Sequence, residues 1–310
     1  MGRRTRQKTG VLQLDDVMVM AAETLGSGPS GGIIVVGVVL FSALLHATWN
    51  ALTHSAKDRI AAITLIGVAA IGCATVGVLF APIPDRAAWP FIGASFLLQA
   101  AYSYGLVLAY RLGEFSSMYP LARGTSPLVV ALVGTFVVGQ PMSGFEAVGV
   151  VTVSGGLLAL AFADGPPTRA DLPAIGAAVG TGCFIAAYTV VDGIGVRRAG
   201  SVLAYASWTF LFQGLLIVLI AVAIRRRSLP ATLRPEWARG LAGGVVSVVA
   251  YSLVLWAQTK GTLAGIATLR ETSILIGCVI GTMVFHERFG RNRLIASAGV
   301  VTGILMIARP

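Results

Sequence analysis

Residues 123–137 read RGTSPLVVALVGTFV, and residues 270–284 read RETSILIGCVIGTMV. Arg123, Thr125, Ser126, Leu128, Gly134, Thr135 and Val137 fall on Arg270, Thr272, Ser273, Leu275, Gly281, Thr282 and Val284, all at one offset of 147 positions. The register runs on through Val153/Val300, Gly156/Gly303 and Leu158/Leu305. Upstream, Tyr102-Ser103 matches Tyr251-Ser252 after a two-residue slip in a connecting loop. The chain is thus written twice, and each copy sets an arginine inside an apolar run.

The rest of the chain is of the same character. Hydrophobic residues make up 56% of it and charged residues only 12%, with a mean hydropathy of +0.83. A soluble domain carries roughly twice that charge. The long apolar runs each approach the ~20 residues needed to cross a bilayer core of ~30 Å. The alternating ~10-residue segments of a β-barrel are absent. The fold class is therefore an all-α integral membrane protein. The net charge of +10 comes from short basic clusters such as Arg225-Arg226-Arg227 and Arg288, Arg291, Arg293. At span ends these suit lipid headgroups rather than nucleic acid. The three cysteines, Cys73, Cys183 and Cys278, are scattered through apolar runs and read as small buried hydrophobes.

About ten spans are expected on the ~20-residue criterion, near 32–53, 60–80, 89–110, 115–138, 145–163, 172–192, 202–224, 238–258, 263–285 and 292–308. Residues 1–30 form a polar tail with no signal-peptide pattern, expected to be disordered. The stretch DGPPTRAD at 164–171 is an exposed linker by its prolines and charges. It separates a first five-helix repeat, 31–163, from a second, 172–310. Because five is odd, the second half enters the membrane in the opposite sense. The two are then an inverted repeat about an axis in the membrane plane, the plan of many secondary transporters. The loop charges alone do not favour an inward N-terminus.

Arg123 and Arg270 lie about eight residues into their spans, roughly 12 Å deep. An arginine there costs at least ~2.5–3.5 kcal/mol, so each needs a partner or a wet cavity. Guanidinium suits bidentate binding of a carboxylate, and a structural ion pair is the equally weighted alternative. Glu271 is adjacent to Arg270 but turned ~100° around the helix. It is expected to pair with Arg123 across the repeat interface, or else to bind a proton or an ammonium group. The first copy has Gly124 in its place. Pro120, Gly124 and Pro127 predict a kink or a short unwound piece beside Arg123. In LLHATWNAL, His46 and Asn50 share a helix face with Trp49 beside them, and Tyr188 weakly mirrors Trp49. Tyr102, Tyr104, Gln99, Tyr119, Tyr251 and Trp256 are candidate walls of a central cavity. His286, Glu287 and Arg288 read as an interfacial anchor. No Walker loop, metal-ligand cluster or nucleophile–base pair stands at recognisable spacing, so neither an enzyme nor a cofactor is expected.

The segments ALLHATWNAL, SSMYPLARGTSPLVVAL, TLRETSILIG and FHERFGRNRL followed by GVVTGILMI, in this order, resemble the EamA branch of the drug/metabolite transporter superfamily. The resemblance covers nearly everything after residue 31. It implies ten helices in two inverted units, a central substrate cavity, alternating access, and both termini in the cytoplasm. The family commonly has Glu after the fourth span as well as the ninth. Glu287 fits, but the first half has Gln140. A small-multidrug-resistance mechanism, also similar to this superfamily, uses an acid in the first helix, where this chain offers only His46.

The expected function is secondary transport of a small metabolite, an amino acid or other carboxylate, in the direction of export across the cytoplasmic membrane. The alternative is a proton-coupled exporter of lipophilic cations with Glu271 as the acid. The expected substrate-binding residues are Arg123, Arg270, Glu271, His46, Trp49, Asn50, Tyr102, Tyr119, Tyr188, Tyr251 and Trp256. Expected partners are the substrate, membrane lipids and coupled protons, with a homodimer allowed and no nucleic acid.

Overall fold

In the computed structural model, residues 29–54, 56–163, 165–285 and 291–308 are described. The expected tail, and His286, Glu287 and Arg288, lie outside the described residues. The first half contributes α1 Pro29–His54, α2 Arg59–Phe80, α3 Trp89–Leu112, α4 Phe115–Phe136 and α5 Gly144–Ala161. The second contributes α6 Leu172–Arg197, α7 Val202–Arg225, α8 Trp237–Gln258, α9 Leu263–Arg270, α10 Thr272–Phe285 and α11 Arg291–Ile307, with a short helix Leu229–Leu233 before α8. Among the described residues seven helices are long and apolar enough to cross a membrane: α1, α2, α3, α5, α6, α7 and α8. The expected count of ten exceeds this. α4 is as long as its neighbours, but Arg123, Thr125 and Ser126 dilute its apolarity.

The expected break beside Arg123 is not where the sequence put it. α4 runs unbroken as helix through Pro120 and Pro127. The interruption falls in the other copy, at Glu271, between α9 and α10. There the Glu271 amide bonds the Thr268 carbonyl at 3.0 Å, and the Ile274 amide bonds Glu271 at 3.0 Å, both at tight three-residue spacing. The Thr272 hydroxyl donates to the Leu269 carbonyl at 2.6 Å. Hydroxyls that bond back to the preceding turn compete with the helical ladder and bend it.

Helices of the first half pack on helices of the second. α3 packs on α6 and α1 on α8; α4 packs on α6, and α1 on α9 and α10. Exchanging the halves turns each of these arrangements into the other. Two pairings map onto themselves, α2 with α7 and α5 with α11. In the first, Gly67 and Gly214, 147 positions apart, meet; in the second, residues a turn away from that register meet. A Cβ on Gly214 would stand 2.7 Å from the Gly67 carbonyl oxygen. One on Gly156 would stand 2.7 Å from the Val300 side chain, and one on Gly303 2.7 Å from Val153. Lipid supplies no hydrophobic drive between helices, so backbones this close gain their stability from van der Waals contact.

At Gly303 the crossing involves backbone as well, because its Cβ would also meet the Gly149 carbonyl oxygen at 2.8 Å. Backbone cannot turn aside as a side chain can. Gly303→Val is expected to lower stability by about 1–3 kcal/mol through overpacking. Thermal unfolding of the purified protein checks this, and an unchanged midpoint would mean that the crossing is slack.

Polar contacts close the two ends of the helix assembly. The Arg197 guanidinium at the end of α6 donates to the Gln258 and Gly261 carbonyls, each at 2.8 Å. It thereby satisfies carbonyls that the end of α8 leaves open. The start of α9 is held from the first half: the Leu263 amide donates to Gln140 at 3.1 Å, and the Thr262 hydroxyl donates to Glu146. Gln140, the residue that departs from the family pattern, is thus a helix-capping acceptor. Toward the opposite ends of the helices, Asp58 caps α2 through the Ile60 and Ala61 amides and pairs with Arg225 at 3.1 Å. Both side chains are partly solvated, so that pair contributes little.

Candidate functional site

The two copies of the repeated motif touch. Arg123 of α4 sets its Nε 2.7 Å from Glu271 Oε2, with the N–H directed off the line between them. Its Nη2 donates to the Ser273 hydroxyl at 3.4 Å. The Tyr119 ring lies one turn away, its centroid 6.0 Å from the guanidinium carbon. Arg123 is 4% exposed and Glu271 2%. This is the cross-repeat pairing expected for Glu271. The glycine opposite it in the first copy also has a reason. A Cβ on Gly124 would come within 3.2 Å of the Ser154 carbonyl of α5, so no side chain fits there without movement.

Arg270 is different. It is buried at 7% exposure, and no carboxylate pairs with it among the described residues. Its guanidinium carbon lies 5.5 Å from the Tyr251 ring centroid. A ring face attracts the cation but leaves its N–H donors unspent. The sequence presented the two arginines as equals. The structure gives one a carboxylate and the other an aromatic face.

Aromatic side chains link these charges. The Tyr102 and Tyr188 rings meet at 5.8 Å and Tyr188 and Tyr251 at 6.5 Å, both edge to face. The chain of rings thus runs from α3 through α6 to α8, ending at Arg270. The charges of both arginines act on His46, Tyr102 and Tyr119. His46 is oriented within its own helix, where Trp49 Nε1 donates to His46 Nδ1 at 3.3 Å. That leaves Nε2 as the nitrogen facing outward from the pair. The expected residues Arg123, Arg270, Glu271, His46, Tyr102, Tyr119, Tyr188 and Tyr251 therefore form one neighbourhood.

Three expected residues play smaller parts. The Asn50 amide is spent on the His46 carbonyl of its own helix at 2.8 Å. Trp49 touches the site through His46. Trp256 packs against the apolar cluster around Val39, Leu157 and Ile266. Tyr104, weighed as a wall, is 73% exposed and faces away from the interior.

Sequence reasoning missed Asp192. It lies in the run YTVVDGIGV on α6 and is fully buried. Its carboxylate oxygens accept hydrogen bonds from the Tyr205 hydroxyl at 2.8 Å and from the Tyr251 hydroxyl. The signal was available, since an acid inside an apolar span marks a functional site by default. It escaped notice because it has no repeat-mate. Glu146 and Arg197 escaped for another reason: they sit at helix ends, where charged residues are ordinary.

Residues 172–309 match the EamA-like transporter family. That stretch contains Asp192, Tyr251, Arg270 and Glu271. A solved protein crystal structure, 16% identical in sequence, superposes with a TM-score of 0.66 and covers 90% of this chain and 96% of that chain, which shows likeness of fold. No curated protein matches the sequence. The transporter-family match over 172–309 and seven helices long and apolar enough to cross a bilayer support a multi-pass membrane protein.

Proposed function

With residues 172–309 belonging to the EamA-like transporter family of the drug/metabolite transporter superfamily, we propose that this chain is a secondary transporter of a small carboxylate, such as an amino acid. It spans the cytoplasmic membrane ten times, as two inverted five-helix units, 31–163 and 172–310. The exchange of helix pairings between halves, and the crossing of Gly67 with Gly214 at 147 positions, support a two-fold relation. Substrate binds near the centre, where transporters of inverted-repeat plan place it. Transport runs outward by alternating access.

The observation that carries this reading is Arg270. It is a buried guanidinium facing an aromatic ring, with no carboxylate partner among the described residues. A substrate carboxylate supplies the missing partner, bidentate on the guanidinium fork. Tyr102, Tyr188 and Tyr251 offer ring faces and edges to the rest of a small molecule, with His46 and Tyr119 nearby. Glu271 is already paired with Arg123, which weighs against its serving as the free acid of a lipophilic-cation exporter.

The test is thermal unfolding of the purified protein against amino acids, other organic acids and lipophilic cations. A ligand that binds only the folded form raises its stability, by about 2.7 kcal/mol at one hundred times its Kd. The expected result is a shift with carboxylates. A shift with cations alone would overturn the carboxylate reading in favour of the drug-export alternative.

A further inference from the structure

Asp192 lies five residues before the end of α6, between the ring chain at Arg270 and the end where Arg197 clasps the α8–α9 turn. Side chains from three other helices surround its carboxyl. Tyr205 of α7 and Tyr251 of α8 donate to it, and the Ser95 side chain of α3 acts on the same group. The Gln99 amide donates to the Ser95 oxygen at 2.9 Å, which leaves the Ser95 hydrogen directed away from Gln99. No lysine, arginine or histidine pairs with Asp192 among the described residues. The cation that acts on it is Arg270, set against the Tyr251 ring. Tyr188, on the same helix, lies beyond that ring. No titratable side chain of α4 meets the carboxyl in the contacts described.

This cage differs in kind from the Arg123–Glu271 pair. A guanidinium only donates, so a carboxyl paired with it is held in one form. Hydroxyls both donate and accept, and they rotate. An ionised Asp192 accepts from Ser95, Tyr205 and Tyr251. A protonated Asp192 keeps one tyrosine donor on its carbonyl oxygen and the other on its hydroxyl oxygen, since Tyr205 and Tyr251 donate to different oxygens, and its own hydrogen is free to go to the Ser95 oxygen. Both forms are hydrogen-bonded by the same side chains without refolding. A purely structural role would be served by asparagine, which avoids the cost of burying an ionisable group.

We propose that Asp192 is the proton-binding site of this transporter, exchanging a proton within the hydroxyl cage of Ser95, Tyr205 and Tyr251. As the site of a coupling ion, this rests on the reading of the chain as a carrier. A carboxylate at Arg270 places a second negative charge beyond the Tyr251 ring, and a proton on Asp192 offsets it. Such linkage acts equally in both directions.

The test is infrared spectroscopy of the full-length protein in lipid, titrated with acid and base and with protons as the only ligand. The expected result is a protonated-carboxyl C=O band that rises and falls with pH. It should shift when the protein is labelled with 13C-aspartate, vanish in Asp192→Asn, and persist in Glu271→Gln. Tyr205→Phe and Tyr251→Phe should keep the band but move its frequency, because each removes one hydrogen bond to the carboxyl. A band that survives in Asp192→Asn, or one untouched by aspartate labelling, overturns the proposal. If Asp192→Asn fails to fold, Asp192→Glu decides the matter: the band should remain but no longer shift with aspartate labelling, and a band that still shifts overturns the proposal. The readout is independent of substrate: the carrier reading fails on the ligand panel, and the proton site fails here.

Discussion

Glu271→Ala is expected to lower the stability of this protein by about 3–5 kcal/mol, the usual consequence of leaving one member of a buried ion pair alone. Arg123 would keep its charge at 4% exposure, with Ser273 and the Tyr119 ring as its remaining contacts. Neither substitutes for a carboxylate, and lipid outside the helices offers no water to take its place. Arg123→Ala should cost a similar amount by stranding Glu271. The double replacement Arg123→Met with Glu271→Leu removes both charges and should recover most of the loss, since apolar groups often replace a buried pair at little cost. Unfolding in detergent, followed by circular dichroism for all variants, makes a double-mutant cycle. If each single variant is as stable as the double, the pair is not what holds α4 against α9.

Arg270→Ala should behave in the opposite way. No ion pair is broken among the described residues, so the fold is expected to survive. Binding is where the loss appears. Truncating one partner of a buried charge pair with a ligand costs about 2–5 kcal/mol. At 1.4 kcal/mol per tenfold, that weakens carboxylate binding by roughly 30-fold to a few thousand-fold. Arg270→Lys should recover only part of it, because an ammonium keeps the charge but not the planar fork. The measurement is equilibrium binding of whichever carboxylate gives the largest thermal shift, with its uptake into proteoliposomes alongside. Wild-type affinity in Arg270→Ala would remove this residue from the site. The contrast between the two arginines is the discriminating result: one variant loses stability and the other loses ligand.

Much of this architecture was legible in the sequence. The helices stand close to the expected spans, because hydropathy over some twenty residues is a local property that the bilayer reads directly. A repeat in the sequence constrains the packing of its copies, as the meeting of Gly67 with Gly214 at the same offset of 147 shows. The burial of Arg123, Arg270 and Glu271 followed from their places within apolar runs. The misplaced break is instructive. Proline suggested a kink or an unwound piece in α4, whereas α4 is helical throughout and the helix is interrupted in the second copy, at Glu271.

By itself, then, the sequence determined the membrane class, the helical elements, the twofold writing of the chain and the identity of its central cations. Each of these depends on composition or periodicity along a short stretch. Only the tertiary structure decided that Arg123 takes Glu271 while Arg270 keeps an aromatic face, and that three helices bring hydroxyls to Asp192 on a fourth. Those outcomes depend on distances between side chains far apart in sequence. A motif that repeats its arginine at the same place in both copies cannot say which copy is neutralised, because the electrostatics are set by whatever the packing brings within a few ångströms.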